Sequence, residues 1–225
     1  MRFYNPSSRD LGLFTWAELQ AAYVNGGAAF LALPLGTRAL VSDIGVEPIY
    51  LIRGTTRWRG DNGQVVKENA ADVVINTASE TICVQWQAKA GLLGNRAVVR
   101  LVIDDADSGT TTTYTGRVRV GTAGTTGDTQ VIANATWMTA VGRAAGTTID
   151  FERRSATLVS QRGGLATGSN SAYMEATSSG ARAADVAVSD MDANDVYFSL
   201  TMQPNNTTDT LTIYGGSIAI LHWGA

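Results

Sequence analysis

Hydrolytic and metal chemistry draw on a few side-chain types, and this chain is poor in them. It has a single histidine, His222, and a single cysteine, Cys83. A Ser-His-Asp or Cys-His unit would have to use His222, and no G-x-S-x-G elbow accompanies it. His222 follows an apolar stretch and sits beside Trp223, which is the setting of a surface or interface residue. Zinc needs three or four imidazole or thiolate ligands, more than one His and one Cys far apart in sequence supply. Cys83 alternates with apolar neighbours, as a buried free thiol does, and a lone cysteine forms no intrachain disulfide.

Carboxylates are the remaining reactive groups. Asp104, Asp105 and Asp107 cluster in Asp-Asp-Ala-Asp-Ser-Gly, and Asp190, Asp192 and Asp195 cluster around Asn194. The first cluster reads as a polar turn; its spacing also echoes a calcium loop, but the closing Glu is missing. The second reads as a turn for the same reason, since Asp and Asn favour local hydrogen bonds. Nothing selects two of these acids as a glycosidase pair. Gly121-Thr122-Ala123-Gly124 lacks the Gly-Lys-Ser/Thr of a phosphate-binding loop and reads as a connection between strands. The inventory therefore assigns no catalytic, cofactor-binding or metal residue, and the expectation is a protein that is not an enzyme.

Aromatic residues are the better lead. Trp86 and Trp137 lie in alternating stretches and are expected in a core, and Trp58 is expected to be the whole core of a small unit. Trp16 and Trp223 lie near the ends. With Phe3, Tyr4, Phe14, Leu19 and Tyr23 they form the candidate docking and interface set, and residues 1–35 are the expected docking element.

Composition narrows the class further. Charged residues make up 16%, against about 25% in an average soluble domain, so Thr, Ser, Asn, Gln and Gly must supply the polar surface. The net charge is −3. Up to residue 69 there are 7 basic and 6 acidic residues, and beyond it 10 and 14. Neither part offers the concentrated positive field that nucleic acid requires. Arginine outnumbers lysine fifteen to two, a bias read as genomic base composition. The first residues lack the apolar core of a secretory leader, and no run of about 18 apolar residues suggests a membrane span. The expectation is synthesis in a reducing cytoplasm and work as a soluble or assembled particle.

These residues need a scaffold, and the chain suggests two parts. In residues 1–69, Thr15 and Glu18 have the spacing of a capping box. A helix is predicted over about 16–24, stopped by Asn25-Gly26-Gly27. Strands follow at 38–41, 48–53 and 57–59, making a small β-meander. A unit this size is marginal alone and leans on a partner. From residue 70 the texture changes to period-two alternation broken by turn signals. Ile82, Val84 and Trp86 share one face, and Cys83, Gln85 and Gln87 the other. Further strands are predicted at 97–103, 114–120, 129–135, 137–141, 147–153, 157–161, 186–189, 196–202 and 211–221, the last broken at Gly215-Gly216. Asp104 to Gly109 is predicted as a turn, and 163–171 and 177–184 as exposed loops. Many short strands at this spacing predict a mainly β, jelly-roll-like antiparallel sandwich behind a helix-plus-meander module.

Three pieces carry a resemblance. Gly36-Thr37-Arg38-Ala39-Leu40-Val41-Ser42-Asp43, followed by a strand and Thr56-Arg57-Trp58-Arg59, resembles the small N-terminal module of bacteriophage tail-fibre and tail-appendage proteins. Ala90-Gly91-Leu92-Leu93-Gly94-Asn95 with Val98-Val99-Arg100-Leu101, and Arg117-Val118-Arg119-Val120-Gly121-Thr122, resemble a jelly-roll domain recurrent in phage virion proteins. The resemblance implies a virion structural protein with no catalytic residue. It also implies docking on other tail, baseplate or capsid proteins, homotrimers, and host attachment through a surface glycan or protein. A head decoration or head-fibre protein and a carbohydrate-binding, receptor-binding module are the alternatives. Residues 1–15 fall outside the resemblance.

Overall fold

The structure, a computed structural model, describes residues 9–69, 71–109, 114–138, 142–166, 185–206 and 210–224. Strands make up 51% of the chain and helix 8%, so it is mainly β.

The N-terminal part begins with β1 (Asp10–Phe14), α1 (Trp16–Tyr23) and α2 (Ala28–Ala32). It continues with β2 (Arg38–Val41), β3 (Ile49–Arg53) and β4 (Trp58–Arg59). The capping box forms as the spacing requires: Thr15 Oγ1 accepts from the Glu18 N–H, and Glu18 accepts from the Thr15 N–H at 2.7 Å. The exposed Glu18 carboxyl is held below its ordinary range by the bond from the Thr15 backbone and then by that from its hydroxyl. The helix stops before Asn25-Gly26-Gly27. The four strands form one sheet in the order β1-β2-β3-β4. β1 runs parallel to β2, which demands a crossover of a dozen or more residues; α1 and α2 are that crossover. Neither β1 nor α2 was expected from sequence. α2 has no side-chain cap at its N-terminus, and the Arg53 guanidinium donates to the Phe30 and Leu31 carbonyls near its C-terminus instead.

The sandwich uses β5 (Gln64–Glu68), β6 (Val73–Ile75), β7 (Thr81–Ala88), β8 (Val98–Ser108), β9 (Tyr114–Gly121) and β10 (Thr129–Met138). It is completed by β11 (Gly142–Ser155), β12 (Leu158–Ala166), β13 (Val186–Ala187), β14 (Val196–Pro204), β15 (Leu211–Ile213) and β16 (Gly216–His222). Counting β5/β6 and β15/β16 as one broken strand each gives eight positions in chain order, with β12 and β13 an added hairpin beyond β11. The first, eighth, third and sixth lie side by side in one sheet, and the second, seventh, fourth and fifth in the other. That order is the jelly roll. The facing sides contribute Leu101, Ile103, Ile149, Phe151, Ile218 and Ile220 from one sheet and Val84, Trp86, Val118, Val120, Phe198 and Leu200 from the other. Trp86 stacks on Phe198 with ring centroids 6.0 Å apart.

Several expectations are corrected. Asp104–Ser108 is strand, not turn: β8 is flanked by β11 on one side and by β15 and β16 on the other. Ladder hydrogen bonds on both sides outweigh the local turn preference of Asp. The buried positions run 99, 101, 103 and then 106, 108, so the inward face shifts by one residue at Asp104–Asp105. The stretch 129–141 is one strand through Met138 as far as it is described, not two. Residues 163–166 continue β12 rather than open a loop; the rest of that segment and 177–184 lie outside the described residues. The boundary between the parts falls near residue 60, not 69, because β5 pairs with β16 of the large sheet. Cys83 and Val84 are both buried rather than on opposite faces. Leu200 pairs Val84 and Thr201 pairs Ile82, so Cys83 is the extra residue of a bulge.

Candidate docking surface

The interior of the N-terminal part consists of Trp16, Leu19, Phe30, Ala39, Val41, Leu51 and Trp58, all buried. Trp58 is therefore not a core by itself. Its ring meets Phe30 edge to face at 5.5 Å, its indole N–H donates to the Tyr23 carbonyl at 3.0 Å, and its backbone N–H donates to Asn25 Oδ1 at 2.8 Å. The Arg53 guanidinium carbon lies over the Phe30 ring, 4.9 Å from its centre.

This small core is fastened to the sandwich by polar bonds made from apolar side chains. The Trp16 indole N–H donates to the Ala90 carbonyl at 2.9 Å, and that of Trp86 to the Ile44 carbonyl at 3.0 Å. The Trp223 indole N–H donates to the Asp61 carbonyl at 2.9 Å, and its ring lies so close to Gly60 that a Cβ there would come within 2.4 Å of it. Asn25 and Arg57 both donate to the Gly91 carbonyl at 3.2 Å. Burial, with the nearby Arg153 charge, lowers the pKa of Arg57, and Asp192 opposes that shift.

The candidate residues named from sequence divide accordingly. Trp16, Leu19 and Trp223 are 4%, 0% and 1% exposed, so their surfaces are already covered by this chain. Phe14 and Tyr23 are half-buried and pack on the same core. Phe3 and Tyr4 lie outside the described residues, as does the side chain of Trp137.

The groups with chemical potential are also engaged. Burial pushes the Cys83 thiol up to about 12. Gly224 N–H donates to His222 Nδ1 at 3.1 Å. Asp190 accepts from the N–H groups of Asp192 and Ala193 within its own turn. Asp192 holds Arg153 through both oxygens, at 3.1 and 2.6 Å, while Asp195 accepts from Ala90 N–H and Lys89. Among the described residues no group of three or more His, Cys, Asp or Glu side chains is placed to hold a metal ion, and no helix is long and apolar enough to cross a membrane.

What the sequence reading missed is the outer face of the N-terminal sheet. Its strands bury one face on the helices and present the other to solvent. One row across that outer face is Asp10, Arg38, Ile52 and Arg59, residues paired strand to strand. The next is Leu13, Leu40 and Tyr50, with Leu13 64% and Tyr50 50% exposed. Gly12, at φ +98°, supplies the bulge that lets Asp10 and Leu13, three residues apart, share this face. The signal was present in Ile49-Tyr50-Leu51-Ile52: a strand apolar at both alternating positions belongs between two covered surfaces. Other exposed apolar side chains of this part are Val24, Leu31, Leu35 and Val46. A pocket of about 330 Å³ between Ile52, Arg59, Asp61, Asn62 and His222 borders the face.

Comparison with known protein families and with curated proteins finds no match to this chain.

Proposed function

We propose that this chain is a structural component of a bacteriophage virion, a tail-fibre or tail-appendage protein. It docks through its N-terminal part and displays the jelly roll outward. The observation that carries the reading is the uneven distribution of apolar surface. Of the eight large apolar side chains exposed among the described residues, six fall in the first fifty: Leu13, Val24, Leu31, Leu35, Val46 and Tyr50. Leu13 and Tyr50 share one row of the outer face of the N-terminal sheet, the kind of exposed apolar surface that marks an interaction site, and that sheet belongs to a unit bolted to the sandwich by three tryptophans. The resemblance of the 36–43 and 56–59 segments to phage appendage modules points the same way. The protein acts by assembly and attachment rather than catalysis, as a homotrimer around a cyclic axis, with the loops at the sandwich ends meeting a host glycan or protein. Among those eight exposed side chains Tyr50 alone is aromatic.

The test is immunoelectron microscopy of particles of the phage that encodes the chain, with antibody to the purified protein. Label on the tail or its appendages supports the proposal. Label at capsid vertices replaces it with a head decoration or head fibre, and unlabelled particles that lack the protein by mass spectrometry overturn the virion reading.

A further inference from the structure

A four-stranded sheet with one face on a core and one in water alternates apolar and polar residues. The N-terminal sheet does so only in part: beside Asp10, Arg38 and Arg59, its outer side carries Leu13 and Tyr50, both exposed, and Leu40 and Ile52, both half-buried. Around them are placed opposite charges at opposite edges, Asp10 on β1 and Arg59 on β4, with three strand spacings between them.

We propose that this face is covered by the same face of a second copy of the chain, through a two-fold axis parallel to the strands. Such an axis reverses strand order and keeps position along the strand. β1 then lies over β4 of the second copy, and β2 over β3. Asp10 meets Arg59, Arg38 meets Ile52, and Leu40 meets Tyr50, and by symmetry each contact is made twice. An axis across the strands would instead set each strand over itself, putting Asp10 over Asp10's own edge and leaving Arg59 facing Arg59's. The charges therefore select one of the two face-to-face arrangements.

The inference does not depend on the virion reading. A chain that forms a trimer through another surface would be joined to a neighbouring trimer by this face. The contact is weak. Four strands at about 4.8 Å spacing make a face about 19 Å wide. Two residue rows on such a face cover far less than the roughly 800 Å² per partner of a standard stable interface.

The experiment is sedimentation velocity on the full chain from roughly 10 µM to roughly 1 mM, the range in which so small a contact fills. The weight-average mass is expected to climb towards twice that of the dilute unit. Arg59→Asp and Asp10→Arg are each expected to hold it at the dilute value, and the two together to restore the climb. Tyr50→Arg, at an exposed position, gives an independent break should a charge variant fail to fold. A constant mass over the whole range overturns the proposal, as does association that survives Arg59→Asp and Tyr50→Arg. A double swap that folds but stays dissociated overturns the two-fold register.

Discussion

Glu80 offers the most direct test of how the outer side of the β7-β14-β9-β10 sheet is held. Its carboxylate accepts from Arg119 Nε at 2.6 Å and Nη2 at 2.7 Å, and from Thr201 Oγ1 at 2.5 Å, with Arg117 Nη1 at 3.5 Å. The Glu80 side chain is 12% exposed and that of Arg119 13%, while Thr201 beneath them is fully buried. Burial tends to raise the Glu80 pKa, but the bonds from Arg119 and Thr201 and the charges of Arg119 and Arg117 outweigh it and hold the carboxyl below its ordinary range. Glu80→Gln keeps the shape and removes the charge, so two arginines lose their counter-ion. Breaking a fully buried pair costs about 3–5 kcal/mol. The remaining water contact reduces that here to about 2–3 kcal/mol, or a melting temperature lower by roughly 4–12 °C for a chain of this size. A folded-state pKa below the unfolded one makes the contribution complete above the unfolded carboxylate range and lost as pH falls through the folded value. Urea unfolding followed by tryptophan fluorescence, from neutral pH into the acid range, reads both effects. The wild-type advantage over Glu80→Gln should be full at neutral pH and shrink on acidification. A variant within about 0.5 kcal/mol of wild type at pH 7, or a difference that does not change with pH, refutes the reasoning.

Three further outcomes are expected. The Cys83 thiol, raised to about 12 by burial, should resist alkylation at pH 8 in the native protein and react at once in denaturant; mass spectrometry of the adduct checks it. Gly60→Ala drives a Cβ into the Trp223 ring, at 2.4 Å from Cζ2, and should cost about 1–3 kcal/mol of overpacking, measured by thermal melting. The Asp128 carboxylate gathers the N–H groups of Ala123, Gly124 and Thr125 at 3.1, 2.8 and 3.3 Å. Asp128→Ala should therefore cost about 1.5–3 kcal/mol and speed amide hydrogen exchange at those three turn residues ahead of β9.

The parts of this fold that were legible in sequence are those whose cause is local. Thr15 and Glu18 write a helix start within four residues, and the strand of Arg117 and Arg119 alternating with Val118 and Val120 matches β9 almost residue for residue. The parts that were not legible depend on remote partners. β5 is a short, mixed stretch, Gln-Val-Val-Lys-Glu, that becomes a strand because β16, some 150 residues on, lies beside it. β1 needs a bulge at Gly12 and a parallel partner beyond two helices. At Asp104–Ser108 the local signal was misleading, since strands on both sides hold as a ladder what the residues alone would have turned. The candidate surface divides the same way. Nearness to the chain ends and aromatic character marked Trp16 and Trp223, but both are spent on indole hydrogen bonds that fasten the two parts together. The exposed face lay in strands whose outward positions could be recognised only once their inward positions were known.

The two lysines bear on where this protein can associate. β5 and β7 are edge strands of the two sandwich sheets, each bonded on one side only, and between them runs a groove of about 410 Å³ under the loop that carries Ile44. An open strand edge is a template for unwanted pairing, and charged side chains, lysine above all, are the common guard against it. In a chain with fifteen arginines, Lys67 lies on β5 and Lys89 directly follows β7, and both line that groove. Lys89 is held there by Asp195 at 3.2 Å, while Ile44 and Trp86 close the seam beneath. The genomic reading of the arginine bias accounts for the fifteen but not for the placement of the two. Lysines thus stand at the β5 and β7 edges of the sandwich, while the outer face of the N-terminal sheet carries Leu13 and Tyr50 exposed among Asp10, Arg38 and Arg59.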